Sequence, residues 1–329
     1  MANRPEHHPE YEGRAEDPGA RHARTAGRLR EGMARGVLAF PLTSFARDGS
    51  LDLDGYGSYL AAQLATRPGA LFPACGTGEF FSLDEEEYGA VVRAAVRAAD
   101  GAVPVVAGVG YGWAQAARFA AIAEREGADA ALVLPHCPVG APQEGLVGQL
   151  SALASRTGLP LIAYQRDQVS YTPDALRRIA RIPGVIGLKD GHGDLDRLQR
   201  LTLSAPPGFL FLNGTATAEM QARPYAAVGV PAYSSAVHAF APEIAASFFA
   251  ALREGAEGEA RVELLLREFY APLVELRDRV PGYAVSLVKA GARLRGRPVG
   301  PARAPLVEPP PCDLDDLEKL LERGLTLTG

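Results

Sequence analysis

From residue 36 onward the chain alternates short apolar or β-branched runs with longer stretches whose apolar positions recur at helical spacing. The strand-like runs are GVLAFPLTSF (36–45), ALFPACG (70–76), VPVVAGVG (103–110), ADAALVLP (128–135), LPLIAYQR (159–166), VIGLKD (185–190), FLFLNG (209–214) and VPAYSSA (230–236). Helical patterns fill the gaps. In LDEEEYGAVVRAAVRAAD (83–100), Ser82 is the expected N-cap and the acidic first turn opposes the helix dipole. Near-continuous apolar strands alternating with helices imply parallel strands buried on both faces. Eight such units within residues 36–240 predict an α/β fold, a closed (β/α)₈ TIM barrel, with an open doubly wound sheet as the alternative.

After residue 240 the strand signals stop. Helical patterns cover 242–254, 259–278, 282–295 and 313–324, and VEPPPC (307–312) reads as a stiff connector because proline cannot continue a helix. Residues 1–32 mix both charges with Pro and Gly and hold few large apolar groups, so the pattern predicts a flexible tail. The expected organisation is thus a tail (1–32), a barrel core (33–240), and a last barrel helix with a helical C-terminal extension (241–329).

Composition narrows the partners. A hydrophobic content of 47% supports a sizeable core, and a net charge of −5 with evenly scattered arginines argues against nucleic acid or an anionic membrane. The ligand expected is a small molecule. Three widely spaced cysteines, with no CxxC, favour neither a disulfide framework nor a thiolate zinc site, and no run matches a signal peptide or a membrane span. A cytoplasmic protein is expected.

Catalytic groups of such barrels come from the C-terminal strand ends. Those ends here carry Thr43 and Ser44; Gly76, Thr77, Gly78 and Glu79; Tyr111; His136 and Cys137; Tyr164 and Arg166; Lys189 and Asp190; Asn213; and Tyr233, Ser234 and Ser235. Lys189 stands out, because the chain has only three lysines, Lys189, Lys289 and Lys319, among its 34 basic residues. Lysine, unlike arginine, can lose its proton in a buried site and attack a ketone. Tyr164 ends the neighbouring strand, about 4.8 Å away, within reach of the same site. An amine beside a phenol suits Schiff-base chemistry, with the phenol relaying protons. The competing reading has Lys189 snorkelling or paired with Asp190, and Tyr164 as an ordinary core aromatic with a wet tip.

The loop ACGTGEFFS (74–82) lets backbone N–H groups approach a carboxylate, with Thr77 able to bind it or pass a proton to Tyr164 and Glu79 fixing the loop. Alone, such a loop is most often a tight turn with no ligand. GVGYG (108–112) lacks the spacing of a dinucleotide loop. His136, His192 and His238 follow strands four, six and eight, and with Asp190 they form the rival, metal-binding site, without HxH or HExxH spacing. His7 and His8 read as exposed tail residues.

ACGTGEFFSLDEEEY, PVVAGVGYG, APQEGL, LIAYQRD, GLKDGHGD, YSSAV and GYAVSLVKAG, in this order across residues 36–307, make the chain similar to the dihydrodipicolinate synthase and N-acetylneuraminate lyase superfamily. It most closely resembles the superfamily's decarboxylating 5-dehydro-4-deoxyglucarate dehydratases. The resemblance implies that Lys189 is the Schiff-base lysine and Tyr164 the proton relay, and that Gly76, Thr77 and Gly78 hold the carboxylate beside the keto group. It also implies that Arg166, Asn213, Tyr233 and Ser234 line the distal end of a sugar-acid substrate, with Arg166 pairing its second carboxylate. No metal or organic cofactor is implied, since the lysine is the electron sink, and a homo-oligomer, dimer or tetramer, is expected.

Two departures bear on the reaction. Cys75 and Gly76 stand where the synthases have glycine and threonine, and QRDQVSY follows Tyr164 in place of their NVPGRT. Both weaken a synthase and suit a lyase that dehydrates and decarboxylates 5-dehydro-4-deoxyglucarate to 2,5-dioxopentanoate. The alternative within the superfamily is an aldolase releasing pyruvate from a 2-keto-3-deoxy sugar acid. Outside it stand a metal-dependent barrel lyase and a non-catalytic sugar-acid sensor.

Overall fold

A computed structural model describes residues 17–135 and 140–328. His7, His8, His136 and Cys137 lie outside the described residues. Eight parallel strands appear where the sequence predicts them: β1 (Leu38–Ala39), β2 (Ala70–Leu71), β3 (Val106–Val109), β4 (Ala130–Val133), β5 (Leu161–Gln165), β6 (Val185–Asp190), β7 (Leu210–Asn213) and β8 (Ser234–Ser235). β2, β1 and β8 pair in that order, and β3 to β7 pair in sequence order. The bridges Leu71↔Val105 and Asn213↔Tyr233 join the two sets, which closes the ring.

Each strand is followed by a helix on the outside of the ring: α2 (Leu53–Leu64), α3 (Glu85–Ala99), α4 (Trp113–Arg125), α5 (Gln143–Ala154), α6 (Pro173–Ile179), α7 (Leu195–Ser204), α8 (Ala222–Ala227) and α9 (Pro242–Arg253). One core runs through strands and inner helix faces. The cap of α3 is Asp84 rather than Ser82: its carboxylate accepts from Glu87 N at 2.8 Å, and Glu87 returns a bond to the Asp84 amide. The acidic pair completes a reciprocal capping box, and Ser82 is left in the preceding 3₁₀ turn.

The expected tail is in part a helix. α1 (Pro18–Arg35) starts at an Asp17 cap with proline in its first turn, and buries Thr25, Leu29 and Gly32 along one stripe. It crosses the N-terminal end of the barrel. Arg28 pairs with Asp129 at 2.6 Å and bonds Gly101 O, Arg30 bonds Gly208 O, and His22 meets Gly158 O, all just before strands. Gly32 lies so close to Gly69 that a Cβ there would sit 1.9 Å from the Gly69 carbonyl oxygen. Docking through small residues and arginine–carbonyl bonds leaves no strong hydrophobic stripe, which is why composition alone reads as a tail.

The C-terminal extension comprises α10 (Glu259–Leu265), α11 (Ala271–Arg277), α12 (Tyr283–Leu294) and α13 (Pro311–Thr326). The single helix expected over 259–278 is interrupted by a π turn at Leu266–Tyr270, just before Pro272, whose missing N–H and ring disfavour a regular α turn there. α13 packs on α9, α11 and α12, so the extension folds back onto the barrel. Among the described residues no helix is long and apolar enough to cross a membrane.

Candidate active site

Parallel pairing of β5 with β6 sets Tyr164 opposite Lys189, so both side chains leave the sheet on one face, into the barrel mouth. The Lys189 Nζ lies 4.0 Å from the Tyr164 ring centroid and 4.8 Å from that of Phe40, and the residue is 5% exposed. At Gly214 a Cβ would meet the Lys189 Cγ, Cε and Nζ at 2.7 Å, so the glycine gives the lysine stem room across the end of β7. Asp190, the next residue, points to the other face. There it accepts from Gln165 Nε2 at 2.6 Å, from the Tyr225 hydroxyl and from Gly193 N. Strand alternation thus removes the Lys189–Asp190 pairing.

The Tyr164 hydroxyl lies 3.4 Å from Gly214 O and 3.4 Å from Arg166 Nη1. Burial pushes this phenol up, but the positive charges of Lys189 and Arg166 outweigh burial and hold its pKa below the ordinary value. A phenol so placed surrenders a proton more readily than free tyrosine. Cys75 is a different case, because burial pushes its thiol up to about 12, leaving a neutral sulfhydryl in the wall.

A cavity of about 520 Å³ opens above Lys189. Gly76, Thr77, Tyr164, Arg166, Lys189 and Ser234 all line it. Gly78 does not reach its surface; it backs the loop, and its carbonyl accepts from Thr43 Oγ1 at 2.7 Å. Asn213 and Tyr233 were expected at the distal end but do not line the cavity. Asn213 pairs in register with Asp190, not with Lys189, and therefore faces outward, where its amide bonds Ala218 O and Thr215. Tyr233 bridges to Asn213 on that same side and packs its ring beside Phe248 and Phe249.

Part of the cavity wall carries no signal in the sequence. Leu273 and Arg277 of α11 and Tyr283, Ala284, Leu287 and Val288 of α12 cover the mouth, joined by Thr215, Ala216 and Thr217 after β7. Glu79 fixes the 74–82 loop through a partner the sequence did not single out: Lys289 Nζ lies 2.6 Å from Glu79 Oε1, both side chains at 0% exposure. The lysine scarcity that singled out Lys189 marks Lys289 equally. Arg277 carries no such signal in an arginine-rich chain.

The rival metal ring does not converge among the described residues. His192 bonds Val169 O at 3.0 Å, while His238 is buried beside Thr66 Oγ1 at 2.7 Å, its pKa pressed down to about 4 by burial; neither lines the cavity.

Comparison with known proteins agrees with this geometry. The Dihydrodipicolinate synthetase family matches residues 33–323. A protein of Streptomyces avermitilis named probable 5-dehydro-4-deoxyglucarate dehydratase 2 is 75% identical over 302 residues, 92% of this chain and 91% of the relative. A Streptomyces coelicolor protein of the same name is 68% identical over 317 residues, 96% of this chain and 98% of the relative. Among solved structures, a dihydrodipicolinate synthase from Bacillus clausii superposes with a TM-score of 0.81 at 24% identity, covering 89% of this chain and 98% of that one.

Proposed function

The chain belongs to the Dihydrodipicolinate synthetase family, and from that premise we propose that it is a Schiff-base lyase that dehydrates and decarboxylates 5-dehydro-4-deoxyglucarate. The observation that carries the reading is the buried Lys189 amine stacked against Tyr164 in a cavity also lined by Gly76 and Thr77. Two relatives of high identity bearing the dehydratase name support the choice of substrate.

The substrate's keto-side carboxylate lies against the 76–78 loop, where backbone N–H groups and Thr77 receive it. Lys189 adds to the ketone, and water leaves to form a protonated imine. Tyr164, poised by Lys189 and Arg166, relays the protons of that step. The imine acidifies the neighbouring methylene; its proton leaves, and the enamine expels the β-hydroxyl as water. In the conjugated imine the electrons of the far carbon–carboxylate bond flow through the double bond to nitrogen and release carbon dioxide. Protonation and hydrolysis return Lys189 and yield 2,5-dioxopentanoate. Atoms balance as one water and one carbon dioxide lost, with no redox partner.

Product analysis by mass spectrometry, with a parallel borohydride quench, tests this. Carbon dioxide and 2,5-dioxopentanoate are expected, with a reduced adduct mapping to Lys189 and lost in Lys189→Ala. Pyruvate with tartronate semialdehyde would make the protein an aldolase. Full turnover by Lys189→Ala would overturn the lysine mechanism.

A further inference from the structure

The dehydratase reading leaves one chemical question open at the site: which group receives the second carboxylate, the one that departs as carbon dioxide. Two arginines line the cavity, Arg166 at the end of β5 and Arg277 in the last turn of α11. Arg166 Nη1 lies 3.4 Å from the Tyr164 hydroxyl, so this guanidinium sits at the reacting end, beside the lysine. Arg277 comes from α11, in the C-terminal extension that covers the mouth. Its Nη1 donates to Thr217 Oγ1 at 2.6 Å and its Nε to Asp278 Oδ1 at 2.8 Å, and its side chain is 17% exposed.

Those two bonds make Arg277 a prepared anion receptor. A guanidinium has five N–H donors in a rigid plane, and with Nε and one Nη1 hydrogen committed, the remaining hydrogens suit a two-pronged grip on a carboxylate. Thr217 is buried in the left-handed region at φ 51°, closing the loop that begins at Gly214 against the Lys189 stem. The anchor and the lysine are thereby tied to the two ends of one short loop. The separation of roles has a chemical benefit: a cation at the departing carboxylate aligns its bond with the conjugated imine, while the charge that tunes Tyr164 stays at the other end.

We propose that Arg277, oriented by Thr217, is the specificity-determining residue that binds the distal carboxylate, so that the C-terminal extension selects diacids over mono-acids. This rests on the Schiff-base reading above. Pyruvate, which carries the keto acid without a distal carboxylate, separates the two.

The test is borohydride trapping on the full-length protein, titrated with 5-dehydro-4-deoxyglucarate and with pyruvate, in the parent, Arg277→Gln, Arg277→Lys and Thr217→Val. The expected result is a rise of at least about tenfold in the half-saturating diacid concentration for Arg277→Gln, with the pyruvate value unchanged. Arg277→Lys should recover part of the loss, and Thr217→Val should weaken diacid trapping alone. An equal shift for both ligands, or none for the diacid, would overturn the proposal, as would Arg166→Gln producing the diacid-selective loss in its place. If Arg277→Gln does not fold, Arg277→Lys and Thr217→Val decide by the same diacid-to-pyruvate ratio. A parent that traps neither ligand would instead sink the Schiff-base reading.

Discussion

Replacing Lys289 by Met is the sharpest probe of how the barrel mouth is held. The parent amine lies 2.6 Å from Glu79 Oε1 and donates to Pro301 O at 2.8 Å, over the Phe45 ring at 4.2 Å. Glu79 Oε2 in turn accepts from Arg303 N at 2.9 Å. One ion pair thus joins the 74–82 loop, α12 and the segment after it. Burial presses the Lys289 amine down to about 8, and the Glu79 carboxylate 2.6 Å away opposes that shift. Methionine keeps the volume of the stem but strands a carboxylate at 0% exposure with a single amide donor. Breaking one side of a buried pair costs about 3–5 kcal/mol, which in a chain of this size lowers Tm by roughly 4–7 °C. Denaturation in urea and by heat at pH 7 reads the loss directly. The double variant Glu79→Gln/Lys289→Met removes both charges and should recover most of it, giving a coupling energy of opposite sign to the single losses. A single variant within about 1 kcal/mol of the parent, or a double variant as unstable as the sum of the singles, would refute the account.

Three further substitutions address the rest of the fold. Glu219 is buried, its carboxyl pushed up to about 7 by desolvation against the bond from Ser235. Its folded pKa lies above the unfolded value of 4.5, so it favours folding at low pH, and that contribution is lost as pH rises through 4.5 to 7. Glu219→Gln cannot ionise; its stability relative to the parent should improve by about 2 kcal/mol between pH 5 and pH 8, and a constant difference would count against the buried proton. On α1, Gly32→Ala places a Cβ 1.9 Å from Gly69 O, whereas Gly27→Ala meets nothing within 4 Å. Urea midpoints should show the first costing about 1–3 kcal/mol and the second gaining up to about 1 kcal/mol; equal effects would mean α1 is not docked.

Hydrophobic periodicity and lysine scarcity by themselves determined the eight-strand barrel and placed Lys189 beside Tyr164, because both are local signals: a strand period of two, a helix period near 3.6, and strand ends that adjacent strands bring together. The same alternation, taken one step further, separates Asn213 and Tyr233 from the cavity, since Asn213 shares a register with Asp190 rather than Lys189; but that register exists only once β6 and β7 are paired. Tertiary structure alone decided the remainder. α1 docks through a glycine contact and arginines reaching carbonyls 73 to 178 residues away, and no window of sequence contains both partners. Arg277 and Lys289 gain their places when the extension folds back over the mouth, which turns one arginine among 31 into a cavity wall and one helical lysine into the partner of Glu79. Sequence carries what neighbours along the chain dictate, while the wall over the barrel mouth is made of contacts between segments that only the closed barrel brings within reach.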